Sequence, residues 1–279
     1  MKTIAVIGLG LIGGSLGLDL TQRGYRVIGI ARRPETCRAA LALGAVHQAG
    51  TELSLVKGAD GVLVCTPIDQ VLPIVQAILP HLAEHAVVTD VGSVKAAIVA
   101  PATALWPRFV GGHPMAGKAE AGLNVAEAGL FKDRPYVLTP VSLTQTTALA
   151  EIRAVVEQLG AQVWECDPQA HDRAVAWISH LPVMVSSGLI QACQQEPDPA
   201  ILALAQTLAS SGFRDTSRVG GGAPELGTLM ARHNREALLT ALATYQDQLN
   251  DLQQLIQAED WEGLYQVLSQ AQAARQPYL

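Results

Sequence analysis

The chain reads as an α/β protein: a doubly wound, mostly parallel sheet at the amino-terminal end, followed by an all-α carboxyl-terminal domain. Three observations predict this. Short apolar runs alternate with helix-patterned stretches up to residue 166. A glycine-rich loop follows the first of those runs directly. Beyond Asp167 the strand-like runs stop, and Ala, Leu and Gln dominate. The expected domains are therefore 1–166 and 167–279.

Strands are predicted over 3–7, 26–30, 61–65, 86–89, 109–111, 136–139 and 162–165. Most are nearly continuous apolar runs, as parallel strands covered on both faces require. Helical patterns fill 12–23, 35–43, 71–82 and 144–159 between them. Further on, Asp167 suits a helix N-cap and Pro168 the first helical position. Val175, Ile178, Val185 and Leu189 continue an apolar stripe, with Pro182 inside it. A proline there removes a backbone donor and predicts a bend near His180. Helices are also predicted over 200–211, 224–251 and 261–274. This half is apolar on more than one helix face, so a homodimer formed through the helical domain is expected to complete its core.

Hydrophobic residues make up 49% of the chain and charged residues 16%, a globular composition rather than a disordered one. The net charge of -6, with no basic stripe, argues against a nucleic-acid partner. Cys37, Cys65, Cys166 and Cys193 form no CxxC pair, so neither a metal site nor a disulfide framework is expected. The first residues enter a strand pattern without a signal-peptide cleavage pattern, and no apolar run reaches membrane-span length. The expectation is a cytoplasmic protein with no membrane partner.

Gly8-Leu9-Gly10-Leu11-Ile12-Gly13 matches G-x-G-x-x-G in the order strand, loop, helix, strand, which makes the sheet domain Rossmann-type. Gly8 permits the tight turn, and Gly10 lets backbone approach a pyrophosphate. Gly13 allows close helix–strand packing, while Leu11 and Ile12 open a helix whose first N–H groups face the anion. At the end of the second strand stands Ala31-Arg32-Arg33, where an NAD site usually carries an acid. Guanidinium groups attract a 2′-phosphate, so the cofactor is read as NADP. Arg32 is the expected phosphate ligand, with Arg33 and Thr36 as helpers. Cys65-Thr66-Pro67 closes the next apolar run at the carboxyl edge of the sheet, where ligands lie in open α/β folds. Asp90-Val91-Gly92-Ser93-Val94-Lys95 does the same one strand later. Ser93 is thus a candidate hydrogen-bond partner for substrate or nicotinamide, a cap for the following helix, or both.

The run Gly111-Gly112-His113-Pro114-Met115-Ala116-Gly117 places one imidazole among small residues. Histidine exchanges a proton near neutral pH, and small neighbours admit a second molecule. A turn histidine in a Gly/Pro-rich loop is the alternative. Arg214 and Arg218, followed by Gly220-Gly221-Gly222, suit a carboxylate site. An Arg–Asp pair within that loop is the competing arrangement.

With GLGLIGGSL, CTP, DVGSVK, GGHPMAG, AWISHLP and SGFRDTSR in this order, the chain resembles the prephenate/arogenate dehydrogenase family of tyrosine biosynthesis over nearly its full length. The resemblance implies oxidation of a cyclohexadienol with loss of its ring carboxylate. It makes His113 the acceptor of the ring-hydroxyl proton and Ser93 its neighbour at that hydroxyl. It also implies that Arg218 grips a substrate carboxylate, with Arg214 a lesser partner, and that His180 faces the substrate pocket. Short, NADP-favouring members look most like arogenate dehydrogenases; prephenate is the alternative substrate. Many prephenate-using members carry an acid two positions after the histidine run, where this chain has Lys118-Ala119-Glu120. An NADP-dependent 3-hydroxyacid or imine reductase is a further alternative, but hydroxyacid members rely on a helical-domain lysine. Between 119 and 279 only Lys132 is present, well before those helices. A non-catalytic NADP sensor would lack an aligned proton acceptor such as His113.

Overall fold

A computed structural model describes residues 1–118 and 120–278. Its sheet has eight strands in the order β3-β2-β1-β4-β5-β6-β7-β8. These are β1 (Thr3–Ile7), β2 (Arg26–Ile30), β3 (Gln48–Gly50), β4 (Gly61–Val64), β5 (Val87–Asp90), β6 (Phe109–Pro114), β7 (Pro135–Thr139) and β8 (Gln162–Glu165). All neighbours are parallel except β6 and β7. Alternation along each strand sends side chains to opposite faces. On β1, Ile4 and Val6 join a core beneath α1 (Leu11–Gln22) and α5 (Thr146–Gln158). Ala5 and Ile7 join a second core beneath α3 (Ile68–Ile78) and α4 (Val99–Leu105). α2 (Pro34–Ala42) follows β2, as a βαβ unit requires.

β3 and α4 fall outside the predicted elements. β3 has three residues and no apolar run, and α4 carries Pro101 and three alanines in a seven-residue stretch. The larger correction concerns β6. The Gly/Pro-rich run predicts a loop after residue 111, yet β6 continues to Pro114 and pairs His113 with Val137 of β7. Gly111 and Gly112 are small because the sheet requires it, not to admit a ligand. A Cβ on Gly111 would lie 2.4 Å from Thr139 Oγ1, and one on Gly112 2.7 Å from the Asp90 carbonyl oxygen.

The helical half begins with α6 (Pro168–Val175), where Asp167 caps Gln169 and Ala170 N–H groups as expected. A π-helical turn, Ala176–His180, joins α6 to α7 (Leu181–Cys193). The disturbance expected at Pro182 is this widened turn: without a proline N–H, the carbonyl one turn back has no α-helical donor. Together these form one helix, Pro168–Cys193, long and apolar enough by length and composition to cross a membrane, which corrects the expectation that no segment reaches that length. Its buried face carries the hydrogen-bonded polar side chains His171 and Asp172 against the sheet half. α8 (Pro199–Leu208), α9 (Ser211–Ser217), α10 (Pro224–His233), α11 (Arg235–Gln257) and α12 (Trp261–Ala274) follow. The predicted helix 224–251 is therefore two helices broken at Asn234. The segment read as a loop around Arg214 is α9, continued by a 3₁₀ turn, Arg218–Gly221.

Candidate active site

A cleft of about 1150 Å³ runs along the carboxyl edge of β1, β2 and β4. Gly8, Gly10, Ala31, Arg32, Arg33, Thr36, Cys65, Thr66 and Pro67 line it, as the sequence predicts. Leu11, Ile12 and Gly13 do not. They form the first turn of α1 beneath the loop, and a Cβ on Gly13 would lie 1.9 Å from the Gly8 carbonyl oxygen. Gly8 has φ +96°, and a Cβ there would meet the Cys65 carbonyl oxygen at 2.5 Å. Gly10 has open space where its Cβ would be, and it caps α1 without a side-chain bond. The first N–H groups of α1 are thus free to meet an anion, as a pyrophosphate requires. These residues fit a dinucleotide. Beyond β2, Arg32 has no ion pair among the described residues, whereas Arg33 meets Glu35 at 3.6 Å across an exposed surface. Leu229 of α10 closes the cleft from the helical half, and Leu123 and Asn124 close it from the loop before β7; neither contribution was legible in the sequence.

Beyond that cleft, β5 and β6 carry the second half of the site. Lys95 is fully buried and makes an ion pair with Asp90. Its Nζ also donates to the Gly112 carbonyl at 2.7 Å. Asp90 accepts in turn from the N–H groups of Gly92, at 2.9 Å, and Gly112, at 3.2 Å. This buried pair therefore clamps the backbone on the amino-terminal side of His113. His113 is 8% exposed, and its Nδ1 lies 2.8 Å from Nε2 of His171 on α6. His171 Nδ1 lies 2.7 Å from Asp172 Oδ1. Asp172 also accepts the N–H groups of Lys95, at 2.7 Å, and Ala96, at 2.8 Å. These bonds tie the helical half to the edge of the sheet. Burial holds the His113 imidazole well below its usual pKa, and the facing His171, Lys95 and His180 push it the same way.

His180 is wholly buried at the end of the π-helical turn. Asn234, between α10 and α11, places its Nδ2 3.1 Å from His180 Nδ1 and also donates to the Asp172 carbonyl at 2.7 Å. Accepting at Nδ1 leaves the proton of the neutral ring on Nε2, near the Ser93 backbone but with no partner of hydrogen-bond geometry among the described residues. Burial lowers the His180 pKa to about 4, against the opposing pull of Asp172. Ser93 is not a helix cap: α4 starts at Val99, and the buried Ser93 Oγ has no hydrogen-bond partner among the described residues. Two buried polar atoms, Ser93 Oγ and His180 Nε2, are thus unsatisfied, an arrangement typical of ligand sites.

Arg214 and Arg218 stand apart from this cluster. Arg214 meets Asp215 at 3.3 Å on an exposed surface, the competing arrangement that the sequence allowed. Arg218 is exposed and has no ion pair among the described residues. Its turn is docked on α7: Ser186 Oγ donates to the Thr216 carbonyl at 2.7 Å, and a Cβ on Gly220 would meet Ser187 N at 2.5 Å. After the histidine run, Lys118 pairs with Glu127 at 2.7 Å, and Ala119 lies outside the described residues. Sequence reasoning missed His171, Asp172, Asn234 and the Asp90–Lys95 pair. The adjacent His171-Asp172 in the first turns after a capped proline was the one available signal.

Comparison with known proteins accounts for both halves. Residues 16–165 match the model of the prephenate dehydrogenase nucleotide-binding domain, and 167–270 match that of the prephenate dehydrogenase dimerization domain. Prephenate dehydrogenase of Bacillus subtilis (strain 168) is 32% identical over 280 residues, covering 98% of this chain and 75% of the relative. The crystal structure of Synechocystis arogenate dehydrogenase is 52% identical, with a TM-score of 0.86, covering 99% of this chain and 100% of that one. The prephenate dehydrogenase from A. aeolicus, solved with hydroxyphenyl propionate and NAD+, is 28% identical, with a TM-score of 0.94, over 100% of this chain and 99% of that one. The sheet half is accordingly a pyridine-nucleotide-binding domain, and the chain as a whole belongs to the prephenate/arogenate dehydrogenase family of oxidoreductases.

Proposed function

We propose that the protein oxidatively decarboxylates arogenate to tyrosine, with NADP as hydride acceptor. The observation that carries the chemistry is His113: a buried imidazole kept neutral and held at 2.8 Å to His171. A neutral imidazole at the working pH is a ready proton acceptor. In this reading His113 takes the proton of the ring hydroxyl. Ser93 Oγ and the Nε2–H of His180 satisfy the remaining lone pairs of that oxygen or of the ring carboxylate. Bound NADP supplies the acceptor for the hydride lost from the same ring carbon. The carbon–carboxylate bond then breaks, carbon dioxide leaves, and its electron pair completes the aromatic ring. The family resemblance assigns Arg218, exposed on the helical half and apart from the His113 cluster, to a substrate carboxylate, so that in this reading substrate is held between the two domains, 1–166 and 167–279.

NADP rather than NAD rests on Arg32, which has no ion pair among the described residues at the rim of the cleft, and on the lack of an acid at the end of β2. Arogenate rests on the 52% identity to the Synechocystis arogenate dehydrogenase. Prephenate is the second reading, favoured by the family models and by the Bacillus subtilis relative. Absorbance at 340 nm with NADP and each substrate separates them. A higher kcat/KM with prephenate than with arogenate would reverse the order, and no signal with either would overturn the reading. Arg218→Ala should raise the apparent substrate KM and leave cofactor affinity in place. We also propose a homodimer assembled through the helical half, consistent with the dimerization-domain match.

A further inference from the structure

Among the polar groups packed behind His113, Asp172 has the fixed role. Its carboxylate accepts two backbone N–H groups, Lys95 on Oδ1 and Ala96 on Oδ2, and Oδ1 also meets His171 Nδ1 at 2.7 Å. A carboxylate in that setting is an acceptor only, so His171 Nδ1 carries the hydrogen. Where His171 is neutral, its lone pair lies on Nε2. The 2.8 Å contact from that atom to His113 Nδ1 is a hydrogen bond only if His113 Nδ1 is the donor. The chain of donors therefore runs one way, from His113 to His171 to Asp172, and leaves the lone pair of His113 on Nε2.

We propose that His171 and Asp172 are positioning residues that lock His113 in the tautomer whose Nε2 is the proton acceptor, and that they share the charge that forms when it accepts. This rests on His113 being the base. When Nε2 takes the hydroxyl proton, His113 becomes an imidazolium with its Nδ1–H already donated to His171. The one negative group in line is Asp172, reached through a ring that polarises toward it. The proton returns from Nε2 to the phenolate oxygen formed as carbon dioxide leaves, so no further acceptor is needed. The other groups facing His113 are Lys95 and His180. Lys95 is neutralised by Asp90, and His180 is turned toward Asn234 by its own Nδ1, so neither can set the tautomer of His113. The device spans the two halves: His113 is on β6, and His171 and Asp172 are on α6.

Three measurements test it on the full-length enzyme. In the wild-type protein labelled with ¹⁵N-histidine, His113 should show a protonated Nδ1 and an unprotonated Nε2 at neutral pH. The opposite tautomer overturns the proposal, whatever the substrate proves to be. Asp172→Asn can donate to His171 and reverse the chain, so kcat should fall by roughly 10²-fold or more at unchanged cofactor affinity. His171→Ala should lose turnover on a similar scale, with KM within about threefold, and added imidazole should restore part of it. Unaltered kcat in both variants, or a loss that imidazole leaves untouched in a protein that still binds NADP, would reduce the pair to a structural role. If neither arogenate nor prephenate is turned over, the substrate reading fails, while the tautomer measurement still decides this one.

Discussion

In the sheet half, Ile4, Leu16, Val62, Val88, Phe109 and Ile152 are at most 1% exposed, and they fill two cores, one beneath each face. In the helical half the buried apolar cluster is Leu181, Leu238 and Ala241, while Ile201 and Leu204 are about half exposed and Leu208 is 68% exposed. α8 has no buried residue at all, yet its sequence is among the most apolar of the helices. The difference teaches that the two halves have different completeness. The sheet half closes its own core and can hold cofactor and His113 rigidly. The helical half keeps its order near the sheet, through Asp172, His180 and Asn234, and leaves its far side uncovered. An exposed apolar surface of this extent marks an interaction site, and a second copy is the partner we propose.

The sharpest way to break the comparison is at His113, the proposed base on the rigid half. His113→Ala should lower turnover by about 10²–10⁴-fold with substrate and cofactor binding retained; a loss below tenfold would remove it from the role of base. Next comes the buried pair beneath it. Lys95→Met leaves Asp90 without its cation, and stability should fall by roughly 3–5 kcal/mol in urea unfolding. A change under about 1 kcal/mol would mean that Asp90 is satisfied by Gly92 and Gly112 alone.

Acid should then act where the halves meet. His180 binds fewer protons folded than unfolded, because its pKa falls from 6.5 to about 4 on burial, and His113 shifts in the same direction. The His180 contribution is thus complete above pH 6.5 and is lost as pH falls from there through 4, and His113 acts with the same sign. The His180 share alone is about 3 kcal/mol at full protonation. A His180→Gln variant should flatten that acid limb; an identical pH dependence of the unfolding midpoint would assign it elsewhere. On the uncovered side, Leu208→Asp should weaken self-association by about 2 kcal/mol, read as a shift toward monomer in sedimentation. The smallest effect is expected at the rim of the cleft, where Arg32→Ala should cost about tenfold in the NADP-to-NAD preference.

The contrast between the halves also explains what was legible. β1, β2, β4, β5 and the glycine loop follow from local rules, because an apolar run, a turn and a helix start are each written in adjacent residues. The predicted strand stops at Gly111 because Gly112 and Pro114 read as punctuation. The real constraint on the two glycines is the approach of Asp90, Thr139 and Val99, residues distant in sequence. His113, Ser93 and His180 were legible as members of motifs. His171 and Asp172 were not, since the capping signal at Asp167-Pro168 already accounted for their neighbourhood, and their bonds to His113 and Lys95 exist only after the halves dock. Asn234 was hidden for the same reason: a helix pattern running across it conceals the break that frees its side chain.

The π-helical turn at Ala176–His180 has a consequence for angular phase. At ~100° per residue, an unbroken α-helix would set positions 171 and 180 on opposite sides of its axis, half a turn apart. A π-helical turn advances by only ~80° per residue, so five such residues give back about a quarter turn. That rotation lets one helix offer both imidazoles toward the same sheet edge. The turn works as a vernier between two registers: the α6 register carries His171 and Asp172, and the α7 register carries Ser186 and the docked Arg218 turn. Removing one residue from 176–180 would return the helix to a single register. Four α-helical residues advance the same ~400° as five π-helical ones, so α7 and its docked Arg218 turn would keep their angle to α6.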